Sequence, residues 1–201
     1  MKIGIIGAGH IGGTLGHLLS GAGHEILYGT RNPAAVSAKA GTPAEAATFG
    51  EVVLFAGPFG AWPDFARGNS AALAGKILID ASNPYPDRDG PMAEAVVASG
   101  KGSAASVRDL LPDCRLVQAF NTIYWIDLRD QAGRAVEKLA MPIAGDDAGA
   151  VATAAALARD AGFDPVVVGG LERSIELDPG SPIYAKSMTA AQVRAALGLT
   201  H

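Results

Sequence analysis

Three glycines and one arginine carry most of the chemistry legible in this chain. The apolar run Lys2-Ile3-Gly4-Ile5-Ile6 is followed at once by Gly7-Ala8-Gly9-His10-Ile11-Gly12. Gly7, Gly9 and Gly12 stand in G-x-G-x-x-G spacing. Gly7 permits a tight turn out of a strand, Gly9 lets backbone approach a pyrophosphate, and Gly12 lets the next helix pack close to the sheet. That helix, expected from about Ile11 to Leu19, offers unpaired N–H groups and the positive end of its dipole to phosphate. A strand before, a helix after and a second strand at Glu25–Gly29 give the context that a dinucleotide fingerprint requires.

The tip of the second strand points to the kind of dinucleotide. An acid there would accept hydrogen bonds from the ribose hydroxyls of NAD and repel a 2′-phosphate. This chain has Thr30 and Arg31 instead, and its nearest acid, Glu25, belongs to the start of the strand. A hydroxyl and a planar guanidinium suit a phosphate dianion. The expected cofactor is therefore NADP(H).

No side chain is assigned a catalytic role. Hydride transfer needs the reacting atoms within about 3–3.5 Å, and the cofactor carries the chemistry while the protein supplies orientation and dryness. A flavin-like acceptor needs no general acid, whereas a ketone or imine does. His10 is expected to face phosphate, and His17, His24 and His201 to be solvated or capping. Tyr124 and Tyr184 are candidate donors near the cleft. Trp62 and Trp125 offer rings that stack on a ligand or simply pack. Asp146 and Asp147 precede a helix and read as caps, so no metal site is expected.

The elements that position these residues alternate. Strands are expected at Lys2–Ile6, Glu25–Gly29, Val52–Ala56, Ile77–Ala81, Arg115–Phe120, Met141–Ala144 and Val166–Val168, with helices at Ile11–Ser20, Ala44–Thr48, Ala61–Ala72, Ala104–Leu111 and Ala148–Ala161. Alternation of this kind predicts an α/β fold, a doubly wound Rossmann-type parallel sheet whose crevice lies at the carboxyl ends of the strands. Asn83–Pro91 reads as a turn-rich loop over that cleft. Met188–Gly198 reads as a capped amphipathic helix, expected to pack on a partner subunit in a homodimer.

Composition fits one domain over residues 1–201, with 171–201 as a C-terminal extension. At 201 residues and 49% hydrophobic, the chain can bury a substantial core. A net charge of −4 gives no reason to expect nucleic acid or anionic membrane as a partner. No segment is long and apolar enough to span a bilayer, and the fingerprint interrupts any reading of the N-terminus as a signal peptide. The single Cys114 forms no intramolecular disulfide, fits a reducing cytoplasm and is expected to pack rather than react.

The order GAGHIGGTLG, YGTRNP, DASNP, VQAFNTI and PIAGDD resembles the NADPH-dependent deazaflavin reductase family over about Met1–Gly170. It is also similar to the cytoplasmic NADPH-binding domain of six-transmembrane ferric and cupric reductases. The resemblance implies that His10 and Ile11 join the three glycines at the pyrophosphate, and that Asn32 joins Thr30 and Arg31 at the 2′-phosphate. It implies that Gly57, Pro58 and Phe59 line the cofactor beyond the third strand and that Asn83 follows the fourth. Ala119, Phe120, Asn121 and Thr122 would meet the nicotinamide. Archaeal members tend to have His where Asn121 stands, while the metalloreductase domains have Asn. Leu177–Tyr184 departs from the continuous apolar helix common in relatives at a place that helps build the acceptor pocket. Three expectations follow. The first is an NADP-dependent oxidoreductase whose small-molecule electron acceptor is flavin-like, a deazaflavin (coenzyme F-420) foremost. The second is a soluble reductase of FMN or of ferric or cupric acceptors. The third is a non-catalytic sensor of the NADPH/NADP⁺ ratio.

Overall fold

The computed structural model describes residues 1–199; His201 lies outside the described residues. Strands β1 (Lys2–Ile6), β2 (Glu25–Gly29), β3 (Ala40–Gly41), β4 (Val52–Phe55), β5 (Ile77–Asp80), β6 (Arg115–Ala119), β7 (Ala140–Gly145) and β8 (Asp164–Gly169) form one sheet. Their order is β3-β2-β1-β4-β5-β6-β7-β8. Around it lie helices α1 (His10–Gly21), α2 (Pro43–Phe49), α3 (Trp62–Leu73), α4 (Pro86–Asp89), α5 (Pro91–Ser99), α6 (Ser103–Leu110), α7 (Trp125–Asp130), α8 (Ala148–Asp160) and α9 (Ala190–Ala196).

Both faces of the sheet are covered, which is why its central strands read as unbroken apolar runs. Ile3, Ile5, Val52, Leu54, Ile77 and Ile79 share one core with Leu15 and Leu19 of α1 and Ala154 and Ala158 of α8. The alternate residues Val53, Phe55, Leu78 and Leu116 pack with Trp62 and Phe65 of α3 and Val107 of α6 on the opposite face. Gly4 lets α2 press onto β1: a Cβ there would sit 2.0 Å from the Ala46 carbonyl oxygen. The sheet's order turns around between β1 and β4, which leaves a crevice at their carboxyl ends.

The alternation misses one reversal. β1 to β6 are parallel, but β7 runs antiparallel to β6, and β8 runs parallel to β7. The cause is the 120–139 connection. Ala119 pairs with Ile143, so β7 begins beyond the carboxyl end of β6 and runs back. The connecting chain thus stays at the crevice and walls it instead of crossing over the sheet.

Two other differences have local causes. Asn83–Pro91 is not only loop: Pro86 and Pro91 each sit in the first turn of a helix, where a missing N–H costs nothing. The tail helix α9 begins with a Thr189–Gln192 capping box. It buries Ala190 and Val193 with Val166 and Val168 of β8, so its apolar face is taken up by its own sheet, where the sequence reading gave it to a partner subunit.

Candidate functional site

The three fingerprint glycines have three different environments. Gly7 has φ +103°, and a Cβ there would meet the Ala56 carbonyl oxygen at 2.9 Å. At Gly12 a Cβ would lie 1.9 Å from the Gly7 carbonyl oxygen, so the start of α1 is pressed onto the loop. A Cβ on Gly9 meets nothing within 4 Å. The fold thus explains two of the glycines and leaves the third facing open space. Gly9 is also the N-cap of α1 and supplies no side-chain cap, so the first N–H groups of the helix face outward without a partner. An uncapped helix terminus beside open space is the cradle that a pyrophosphate fills.

Arg31 lies at the mouth of β2, exposed, and takes part in no ion pair among the described residues. Thr30 Oγ1 turns back to accept from the Asn32 N–H at 3.4 Å, which holds this hydroxyl beside the guanidinium's backbone. A free guanidinium and a hydroxyl at the strand tip can hold a phosphate dianion.

A cleft of about 520 Å³ opens at the carboxyl ends of β1, β4, β5 and β6. His10, Ile11, Gly57, Pro58, Asn83 and Asn121 line it, so six of the expected site residues meet there. Asn83 Nδ2 donates to the Asn121 carbonyl oxygen at 2.9 Å, and Asn121 Nδ2 donates to Asn83 Oδ1 at 3.0 Å and to the Leu177 carbonyl oxygen at 2.8 Å. The preceding residue, Phe120, is wholly buried with φ 65°. That conformation is uncommon for a side chain of this size and has to be imposed by its surroundings. It turns the chain sharply where β6 ends and Asn121 enters the cleft.

Residues 2–84 match the family model described as NADP oxidoreductase coenzyme F420-dependent. The chain is 31% identical over 182 residues to the metalloreductase STEAP3 of Rattus norvegicus, covering 88% of this chain and 36% of that protein. Residues 2–84 are thus similar to the NADP oxidoreductases. The chain spans about a third of the length of the curated relative it matches. A hypothetical protein of Sinorhizobium meliloti superposes with a TM-score of 0.78 at 27% identity, over 94% of this chain and 95% of its own. An Arthrobacter protein named as an F420-dependent NADP reductase superposes with a TM-score of 0.77 at 24% identity, over 94% and 99%; it speaks for the fold alone.

Some expected residues are placed differently from the sequence reading. Phe59 and Ala119 are wholly buried and do not line the cleft. Phe59 opens a 3₁₀ turn that directs its ring into the α3 core, and Phe120 takes the cleft position that follows Ala119. His10 stacks on Trp125 of α7, ring centroids 4.1 Å apart at 19°, and so closes one side of the cleft with a flat aromatic surface. Trp62 is core, and its Nε1 donates to Ser82 Oγ at 3.0 Å. Asp147 caps α8 through Ala150 N–H at 2.7 Å, and Cys114 packs with its thiol pushed up to about 11 by burial.

The sequence reading overlooked Tyr85 and Arg88. The Tyr85 hydroxyl hydrogen-bonds the Tyr184 hydroxyl across the cleft wall. Arg88 lies 4.7 Å over the Tyr85 ring and donates to the Asn83 carbonyl oxygen at 2.9 Å. Burial pushes the Tyr184 phenol well above its ordinary range, so it is a neutral hydrogen-bonding group near pH 7. Tyr85 and Tyr184 are 99 residues apart, and no local pattern announces that they meet.

Proposed function

We propose that this protein is an NADPH-dependent reductase that passes hydride to a flat, flavin-like small molecule, a deazaflavin such as coenzyme F-420 foremost. The observation that carries this reading is the position of the cleft: it begins at His10 and Ile11, on the uncapped end of α1, and ends among planar side chains. In this reading the α1 N–H groups and Gly9 hold the pyrophosphate, and Thr30, Arg31 and Asn32 hold the 2′-phosphate. Ile11, Gly57 and Pro58 shape the nicotinamide side, and Asn83 and Asn121 present amide groups to its end. When bound, NADPH supplies the hydride. The stacked His10–Trp125 pair and the Tyr85–Tyr184 pair exclude water and orient the acceptor. No acid–base residue is assigned, because a flavin-like ring accepts hydride without one.

The similarity to a metalloreductase over 88% of this chain favours a second reading, a reductase of FMN or of ferric or cupric acceptors. Both readings take the protein as a homodimer that works in the cytoplasm; no described helix is long and apolar enough to cross a membrane. The test is anaerobic NADPH oxidation with deazaflavin, FMN and ferric chelate offered separately. Rapid turnover with deazaflavin is the expected result. Turnover only with FMN or iron would move the acceptor to the second reading, and tight NADPH binding without turnover on any of them would favour a sensor.

A further inference from the structure

Below the cleft lies a buried polar cluster that the proposed chemistry does not use. Asp80, at the end of β5, and Gln118, on β6, are register partners in the parallel pair. Each is fully buried. Leu78 and Leu116, two residues earlier, lie in the α3-face core, so Asp80 and Gln118 point to that same face. Asp178, in the segment returning from β8, is also buried. It accepts from Ser103 N–H at 2.7 Å, Ser103 Oγ at 2.6 Å and Gln118 Nε2 at 3.0 Å. Asp80 Oδ1 accepts from Ser82 N–H at 2.8 Å and Ser82 Oγ at 2.6 Å.

Counting donors leaves two acceptors unsatisfied at neighbouring positions: Asp80 Oδ2 and Gln118 Oε1 are both buried and have no partner. Two bare oxygens on paired residues are costly. One proton resolves both. We propose that Asp80 is protonated and donates from Oδ2 to Gln118 Oε1, so that the Gln118 amide bridges a neutral acid, Asp80, and an ionised acid, Asp178.

Turning the amide round does not remove the need for a proton. The Gln118 amino group would then serve Asp80, but its oxygen would stand 2.8 Å from Ser103 Oγ and 3.0 Å from Asp178 Oδ1; the Ser103 hydroxyl proton can serve only one of these two oxygens, and the other needs a proton. The donors decide the placement. Asp178 receives three hydrogen bonds that favour its ionised form, whereas Asp80 has one oxygen with none. Burial raises both acids, Asp178 against the three hydrogen bonds that lower it and Asp80 up to about 7. Among the described residues, Asp178 is the charged group that acts on it; Trp62 of α3, Ser103 of α6 and Gln118 of β6 are neutral.

The bridge holds two walls of the cleft. Ser82, bound to Asp80, lines it directly. Asp178 anchors the segment that carries Leu177, whose carbonyl accepts from Asn121, and that continues to Tyr184. Asp80 and Asp178 are thus positioning residues, and the proton on Asp80 ties the set of the cleft to pH. Because the folded-state pKa of Asp80 is raised above its ordinary 3.8, its contribution to stability is fully present below that value. It is lost as pH rises to about 7.

The test compares Asp80→Asn with Asp178→Asn in the full chain. The amide introduced by Asp80→Asn keeps an oxygen for Ser82 and an NH₂ for Gln118, reproducing the protonated acid. The amide introduced by Asp178→Asn offers one oxygen where two carboxylate oxygens serve three donors. The expected result is that Asp80→Asn melts at or above the wild-type temperature near pH 8 and flattens the fall in melting temperature across about pH 4–7. Asp178→Asn should melt lower at every pH. Infrared spectra near pH 6 should show a protonated-carboxyl band that Asp80→Asn removes. A band that survives Asp80→Asn, or an Asp80→Asn protein with the wild-type pH dependence, overturns the proposal. Both readouts need no acceptor and no turnover, so they stand even if Asp178→Asn fails to fold.

Discussion

In the proposed reading, the nucleotide end and the acceptor end of the cleft are built by different means. At the nucleotide end, function rests on what is missing: no side chain at Gly9, no cap on α1, no acid at the tip of β2. The parts lie within about thirty residues of one another in sequence, and backbone supplies most of the recognition. At the acceptor end, function rests on side chains brought together over long distances. Asn83 meets Asn121 across 38 residues, and Asp178 meets Ser103 across 75. The first end tolerates almost no added atom, whereas the second depends on a closed account of buried donors and acceptors. One is sensitive to volume and charge, the other to the identity of single hydrogen-bonding atoms.

Two of the three fingerprint glycines test the volume side most severely. Gly12→Ala places a methyl group 1.9 Å from the Gly7 carbonyl oxygen, so helix and loop must separate. Overpacking of this kind costs about 1–3 kcal/mol, and NADPH binding should be lost with it. Gly9→Ala adds the same methyl where the protein has nothing within 4 Å. It should lower stability by about 1 kcal/mol or less, through a poorer N-cap, yet weaken NADPH binding at least tenfold. Thermal unfolding and NADPH titration of both variants separate the effects. A Gly9→Ala protein that binds NADPH like the wild type would remove the pyrophosphate from that place.

Arg31→Ala tests the charge side. Hydrogen bonds to charged groups contribute about 1.5–3 kcal/mol, so NADPH affinity should fall roughly ten- to a hundredfold while NADH affinity stays within about twofold. The loss should also shrink as salt rises, since an exposed guanidinium is screened. Equal loss for both nucleotides would show that Arg31 supports the loop and not the 2′-phosphate.

The same division explains what could be read from the chain beforehand. β1, the fingerprint, α1, β2 and the Thr30–Arg31 tip are contiguous, and each local preference agrees with its neighbours; all lie where the spacing put them. The reversal of β7 was not legible, because an apolar run of six residues has no direction until its connection is known. α4 and α5 were hidden by prolines read as turn residues, although Pro86 and Pro91 stand where helices begin. β3, with two residues, is too short for any periodicity. The Asp80–Gln118–Asp178 bridge was beyond reach for a different cause. Its members belong to two strands and a distant segment, and nothing short of the pairing register places the two acids on one amide.

The smallest expected effect decides the most about mechanism. Tyr184→Phe removes one hydroxyl from the Tyr85–Tyr184 pair and leaves the ring. Both tyrosines are half-buried beside the cleft, so water can replace the lost partner, and stability should fall by no more than about 1 kcal/mol. NADPH affinity should not change, because the nucleotide end has no contact with this pair. If Tyr184 only shapes the acceptor wall, the KM for FMN or deazaflavin rises a few-fold and kcat stays within about threefold. A general acid would behave differently: such groups contribute on the order of 10²–10⁴ to rate, so kcat would collapse at unchanged KM. That result would admit carbonyl or imine acceptors. A few-fold rise in KM alone would leave the acceptor end as a surface that recognises a ring, with the hydride needing no side-chain proton.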